Sequence, residues 1–179
     1  MTAETNTKNT SWSLALRYGG IASILFIIIT VVLELVGVYN PIQQEGSTLV
    51  TVLSIAFYAG AIYMATQNHR DQNLGGFITY GQAFGTGFQV ALIMALISGV
   101  YLLIQVMVID PEMIDKMKIV QEGILEEQGL SSEQIEAANM DFFMSPGPLF
   151  IFGVLGNLLF GVLISLITSA ILQKRHPNA

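Results

Sequence analysis

The chain has 179 residues, of which 53% are hydrophobic and only 11% charged, with a net charge of -6 and a mean hydropathy of +0.61. Its length suits one domain, but the charge content falls far below the roughly 25% of a water-soluble globule, which excludes an ordinary soluble fold. The acidic balance sets nucleic acid aside, since phosphates are bound through Lys and Arg, and the lack of cysteine removes disulfides, thiolate metal sites and cysteine-linked lipid anchors.

Residues 1–13 are polar, rich in Thr and Asn and without hydrophobic period, so a disordered tail is expected there. Trp12 marks a membrane interface, where an amphipathic ring is favoured. Four stretches then contain no Asp, Glu, Lys or Arg: 18–33, 46–68, 72–109 and 142–173. Each approaches or exceeds the roughly 20 residues that carry a helix across about 30 Å of hydrocarbon. They lack the polar face that helices of a soluble bundle turn to water. The expected fold is therefore all-α: a polytopic membrane protein with four transmembrane helices and an amphipathic helical insert between the third and fourth. Residues 14–173 form its single domain, and 174–179 a C-terminal tail.

The first span is placed at 14–38. It is longer than a signal-peptide apolar region, and no small-x-small cleavage pattern follows it, so it is expected to be a retained anchor. Arg17 near its start can snorkel to the headgroups, and Asn40 and Pro41 stop the helix. The second span is placed at 47–66, followed by a polar turn over 67–76. The uncharged region 72–109 would reach about 57 Å as one helix, too long for a single crossing. Residues 75–83, with Phe77 and Tyr80, are therefore assigned to the interface and the third span to 84–109.

The insert covers 110–143. Asp110 and Pro111 suit a helix start, and Met113, Met117, Val120 and Ile124 recur on one face while acids occupy the others. Gly129 suits the end of that helix. Ser131 with Gln134 matches a capping box, and Leu130 with Ile135 the accompanying hydrophobic staple, so a second helix is expected over 132–140. The fourth span is placed at 148–172.

Four crossings put both termini on one side, with Lys8, Arg17, Arg70, Lys174 and Arg175; Lys116 and Lys118 lie on the other among nine acids. Short loops rich in Lys and Arg stay cytoplasmic. Both ends are therefore expected inside, and the acidic insert outside.

An ionisable group inside a span is costly and is by default a functional candidate, which singles out Glu34. It stands about 9 Å of helix from Asn40, near the interface. Gln82, Gln89, Gln105 and Asn157 are uncharged polar groups in or near spans, of the kind that hydrogen-bond between helices. Gly81 and Gly85 form a GxxxG pair, and Gly153, Gly156 and Gly161 add small residues to the fourth span, all candidates for close helix packing. No HExxH, P-loop or GxSxG occurs, and the only histidines are His69 and His176. Neither an enzyme nor a cofactor is expected. The expected partners are the lipid bilayer and another membrane protein or a second copy of the chain.

Four spans, the third entered through Gly76-Phe77-Ile78-Thr79-Tyr80-Gly81-Gln82-Ala83-Phe84, and a long acidic, Met-rich helical insert before the fourth resemble the bacterial membrane proteins catalogued as domain of unknown function 4199. The resemblance covers about 13–172. It implies a four-helix fold in the inner membrane of a bacterium and no particular chemistry. Two functional expectations stand beside each other: a non-enzymatic structural or interaction component acting through its insert, and a small oligomeric channel or transporter using the intramembrane polar residues.

Overall fold

A computed structural model describes residues 10–43, 45–137 and 140–174. Residues 1–9 and 175–179 of the two expected tails lie outside the described residues. Helix α1, Ser11–Leu35, starts on Thr10, whose side chain accepts a hydrogen bond from Ser13 N. Residues 11–13, expected in the tail, are thus its first turn, because a Thr cap satisfies a backbone donor at the helix start. The helix also stops short of Pro41. Gly37, at a φ of 74°, turns the chain back, and the amides of Val38 and Tyr39 both reach Leu33 O, at 2.9 and 3.1 Å.

Helix α2, Ser47–Asn68, runs on as a π-helical turn, His69–Asn73, through residues expected to form a polar turn. Helix α3, Tyr80–Ile104, begins on a reciprocal capping box between Thr79 and Gln82 and ends in a second π-helical turn, Gln105–Ile109. That cap draws residues 80–83, assigned to the interface from sequence, into the helix. In the insert, α4 is Met113–Glu127, α5 is Ser132–Ala137 and α6 is Met140–Phe143. Asp110 does not cap α4; the cap residue is Glu112, and the Asp110 carboxylate instead takes Lys116 Nζ, 3.1 Å from each oxygen. Ser131 and Gln134 make both capping-box bonds before α5, at 2.9 and 3.4 Å. Helix α7, Pro146–Leu172, starts after Ser145 with proline in its first turn.

Helix α3 is the pivot of the bundle. It packs along α7 and α1, while α2 touches α1, α3 and α7. Its contact face is a ladder of small residues four apart, Ala83, Gly87, Ala91, Ala95 and Gly99, all buried. Gly161, Ser165 and Ser169 repeat the spacing on α7, and Ala15, Gly19 and Ser23 on α1. A step of four keeps such residues on one helix face, and small side chains let backbones approach where no hydrophobic force separates helix from lipid. The larger members of the core, Tyr58, Ile62, Val90 and Met94, fill the space between the ladders.

The buried hydroxyls are satisfied mostly within their own helices. Ser23 donates to Gly19 O at 2.8 Å, Thr168 to Ile164 O at 2.8 Å and Ser169 to Ser165 O at 2.6 Å. These three therefore add small volume to the core without an unmet hydrogen bond, whereas the buried Thr66 Oγ1 and Tyr58 hydroxyl have no partner among the described residues. Outside, the pattern inverts: Ile24, Ile28, Val32, Val52, Ile55, Leu96, Val100, Leu159, Leu163 and Ile167 are 40% to 65% exposed. Small residues inside and branched apolar ones outside is an arrangement that lipid stabilises and water does not. The four long helices each exceed the length needed to cross a bilayer, and the chain is an all-α polytopic membrane protein.

Candidate functional site

Two features stand out at the end of the bundle that carries the insert. The first is a pocket of about 150 Å³ among α1, the loop after it and the end of α3, where Thr30, Glu34, Tyr39, Ser98, Tyr101 and Gln105 meet. The reversal at Gly37 builds it, because folding the chain back onto α1 sets Tyr39 near Glu34. Asn40 holds the turn that follows, its side-chain oxygen accepting from Ile42 N at 2.9 Å and Gln43 N at 3.1 Å. At Gly46, whose φ is 70°, a Cβ would fall onto the Val38 carbonyl, so only glycine lets the loop close. Burial, and then the Glu34 charge, push the Tyr39 phenol above its usual value of 10.0. The Glu34 carboxylate has no ion pair or hydrogen bond among the described residues. The pocket thus brings a half-buried carboxyl group together with two phenols and a carboxamide.

The other sequence-selected polar residues do not join it, apart from Gln105. Gln82 sits at the opposite end of α3, its Oε1 accepting from Thr79 N at 3.0 Å within the cap. Asn157 Nδ2 donates to Gly153 O of its own helix at 2.9 Å. Gln89 is half-buried midway, with Oε1 unpartnered among the described residues. These groups do not line one path.

The glycines divide likewise. A Cβ on Gly161 would lie 2.5 Å from Ala91 Cβ and 2.8 Å from Tyr58 Cε1, so α7 approaches α3 and α2 there. Gly153 makes only ordinary contact, with Leu102 Cδ2 3.4 Å from an added Cβ, and Gly81, Gly85 and Gly156 face open space. The GxxxG pair is therefore not a helix contact within the chain. Gly87, against Ser165, and Gly99, against Phe150, are the close approaches on α3. Their signal was in the sequence as a five-member run of Ala and Gly at steps of four, longer than the isolated pair.

The second feature is the insert, an acidic arm. Met113 is buried and Met117 and Val120 are half-buried, but Ile124 is exposed, as is Ile119 beside them at 69%. Within the arm, α4 packs on α5, with Ile135 buried, and α6 packs on the start of α7. Both lysines are engaged internally. Lys116 holds Asp110 and, at 3.5 Å, Glu112; Lys118 reaches Asp141 at 2.7 Å and Asp115 at 3.9 Å. Hydrogen bonding to Asp110 and Asp141 respectively raises both ammonium pKa values. Glu122, Glu126, Glu127 and Glu133 carry no ion pair among the described residues. The arm thus presents unneutralised carboxylates alongside partly exposed aliphatic side chains. Phe142 and Phe143, exposed at its end, meet edge-to-face at 5.4 Å, and Phe143 meets Phe152 of α7 at 6.0 Å.

Among the described residues, no three or more of His, Cys, Asp and Glu gather in a way that could hold a metal ion. Among known proteins, a family model described as "Protein of unknown function (DUF4199)" matches residues 17–174. No curated protein and no solved structure matches the chain.

Proposed function

This chain belongs to the DUF4199 family of proteins of unknown function, and on that premise we propose that it is a non-enzymatic bacterial inner-membrane protein whose acidic arm docks another membrane protein outside the cytoplasm. The observation that carries the reading is the arm's own surface. Nine acids against two lysines leave it seven negative charges, and its apolar face is only partly covered by the chain. An anionic bilayer surface would repel such a segment, whereas a partner bearing basic side chains around an apolar strip complements it. Of the described basic residues, Arg17, Arg70 and Lys174 lie at the end opposite the arm, which supports placing that end in the cytoplasm.

Docking is tested by photo-crosslinking from Ile119 and Ile124 in native membranes. A discrete protein adduct that weakens in high salt and on Glu122→Lys with Glu126→Lys is expected. An adduct pattern indifferent to salt and charge reversal, or one confined to lipid, would refute docking. Orientation is tested by single cysteines at Thr48, Asn73 and Gln128, since no native thiol competes. An impermeant reagent added outside should label 48 and 128 and spare 73; the reverse pattern inverts the topology.

The pocket around Glu34 favours a second reading, an oligomeric conductor of protons or small cations. It predicts flux in liposomes that Glu34→Gln abolishes. A chain without flux, or a Glu34→Gln variant conducting as wild type does, removes it.

A further inference from the structure

At the end opposite the arm, the outer face of α1 and α2 is grooved. Ala22, Ala56, Gly60 and Ala61 are too small to fill the space between the two helices, leaving an apolar channel of about 430 Å³ walled by Leu25 and Phe57. That volume lies within the range of about 300 to 1,000 Å³ typical of small-molecule sites. Its lining runs from Arg17 to Leu25 on α1 and from Ala56 to Met64 on α2, about 12 Å of helix in each case. This is close to the depth of one leaflet, about half of a 30 Å hydrocarbon core. The length fits part of an acyl chain entering from the headgroups.

The charged end gives the groove its chemistry. Arg17 lines it, is exposed, and has no ion pair among the described residues; its guanidinium rests 5.9 Å from the Tyr18 ring centroid. Past Tyr18 and Met64, which line both spaces, a recess of about 210 Å³ opens among Gln67, Asn68, Asp71 and Gln72. Asp71 is paired with Arg70, at 2.7 and 3.2 Å, so the recess is polar but near neutral. Asn68 Nδ2 donates to the Tyr18 hydroxyl at 3.2 Å and ties the two helices together at the junction. The site as a whole therefore has one uncompensated positive charge, an apolar slot on one side and neutral hydrogen-bonding groups on the other. A larger apolar groove, about 530 Å³, lies on the other side of α2 against α7, with no charged residue in its lining. It provides an internal comparison.

We propose that the α1–α2 groove binds an anionic phospholipid with a hydroxylated headgroup, of the phosphatidylglycerol type, with an acyl chain in the apolar slot, the phosphate on Arg17 and the headgroup hydroxyls in the polar recess. A guanidinium suits a phosphate through paired donors, and a net-neutral headgroup leaves the site's charge unmatched. The α2–α7 groove takes acyl chains without headgroup preference.

Native mass spectrometry of the full chain in neutral detergent tests this, with phosphatidylglycerol, phosphatidylethanolamine and phosphatidylcholine of identical acyl chains added in competition. One phosphatidylglycerol per chain should be retained with roughly tenfold preference over phosphatidylcholine, which has the same phosphate but a cationic headgroup with no hydroxyl to place in the recess, a difference of about one or two neutral hydrogen bonds. Arg17→Gln should erase the preference, and Arg17→Lys, which keeps the charge but not the paired donors, should keep only part of it. Ala56→Phe, at an exposed position inside the slot, should weaken binding of phosphatidylglycerol while leaving Arg17 in place. Equal binding of the three lipids, a preference that survives Arg17→Gln, or phosphatidylglycerol binding unaffected by Ala56→Phe would each overturn the assignment. Should Arg17→Gln fail to insert, the wild-type competition and Ala56→Phe decide the matter alone.

Discussion

Replacing Gly161 by alanine tests the packing of the bundle more directly than any polar substitution. The added Cβ would stand 2.5 Å from Ala91 Cβ and 2.8 Å from Tyr58 Cε1. Neither neighbour can step aside: Ala91 is fully buried on the central helix, and Tyr58 is 3% exposed with its ring edge-to-face on Phe160 at 5.5 Å. Relief must come from separating α7 from α3, which also strains the Ser165 Oγ bond to Phe84 O at 3.3 Å. Overpacking of this kind costs about 1–3 kcal/mol. Gly156 on the same helix meets nothing within 4 Å, so Gly156→Ala gains the same helical preference without the clash, and the difference between the two variants isolates packing. Unfolding in mixed micelles, followed by the fluorescence of the single tryptophan, Trp12, should put Gly161→Ala about 1–3 kcal/mol below Gly156→Ala. Equal stabilities, or a more stable Gly161→Ala, would show that α7 does not approach α3 and α2 at this point.

Three further outcomes follow from the geometry. Thr79→Ala removes one half of the α3 capping box and should lower stability by about 1 kcal/mol in the same assay, whereas Gly81→Ala and Gly85→Ala, with open space around each added Cβ, should stay within about 0.5 kcal/mol of wild type. Lys118→Gln breaks the bond to Asp141 that joins α4 to α6, so amide exchange should accelerate at 140–143 and remain unchanged in the spans. Glu34→Gln should lower the Tyr39 pKa part of the way towards 10.0, because burial, the larger cause, remains. The phenol is raised in the folded chain, so its contribution to stability is complete below 10.0 and is lost as pH climbs through the raised value. A phenolate absorbance titration, read against Tyr39→Phe, should show the smaller upward shift; an unchanged Tyr39 pKa would separate Glu34 from the pocket.

The spans were legible from sequence because charge is costly in the bilayer core, so long chargeless stretches mark the crossings and place Arg17 and Glu34 near the ends of the first. Their ends were less legible. Gly37 rather than Pro41 stops α1, since the left-handed turn it permits satisfies the last carbonyls of the helix before proline is reached. Residues 80–83 joined α3 because Thr79 and Gln82 cap each other, a signal of the same form as Ser131 and Gln134 but masked by the apolar residues around it. The packing glycines were harder still. A GxxxG pair at the polar end of a helix has no partner to face, while Ala and Gly stepping by four through its centre do. Which pairs meet depends on the helix opposite, and that information is not local.

Taken with the position of the polar cross-links, this explains where the molecule can change shape. Ser165 to Phe84, Asn68 to Tyr18 at 3.2 Å and the paired backbones of Ile78 and Lys174, at 3.0 and 2.9 Å, all tie helices together at the end away from the arm. The Lys174 ammonium over the Phe77 ring, at 5.6 Å, adds to the same closure. At the other end, Phe143 of the arm meets Phe152 of α7 at 6.0 Å, while the Lys118–Asp141 pair ties the arm only to itself. The small-residue ladders pack the spans against one another and include no residue of the arm. The Glu34 pocket stands at the arm's end of the bundle, walled partly by the Tyr39 loop, which turns at Gly37 and Gly46. Gln105 lines that pocket and opens the π-helical turn that leads into the arm. A partner that repositions the arm should therefore shift the Tyr39 titration through Gln105, and a Tyr39 pKa unchanged on binding would show that arm and pocket are independent.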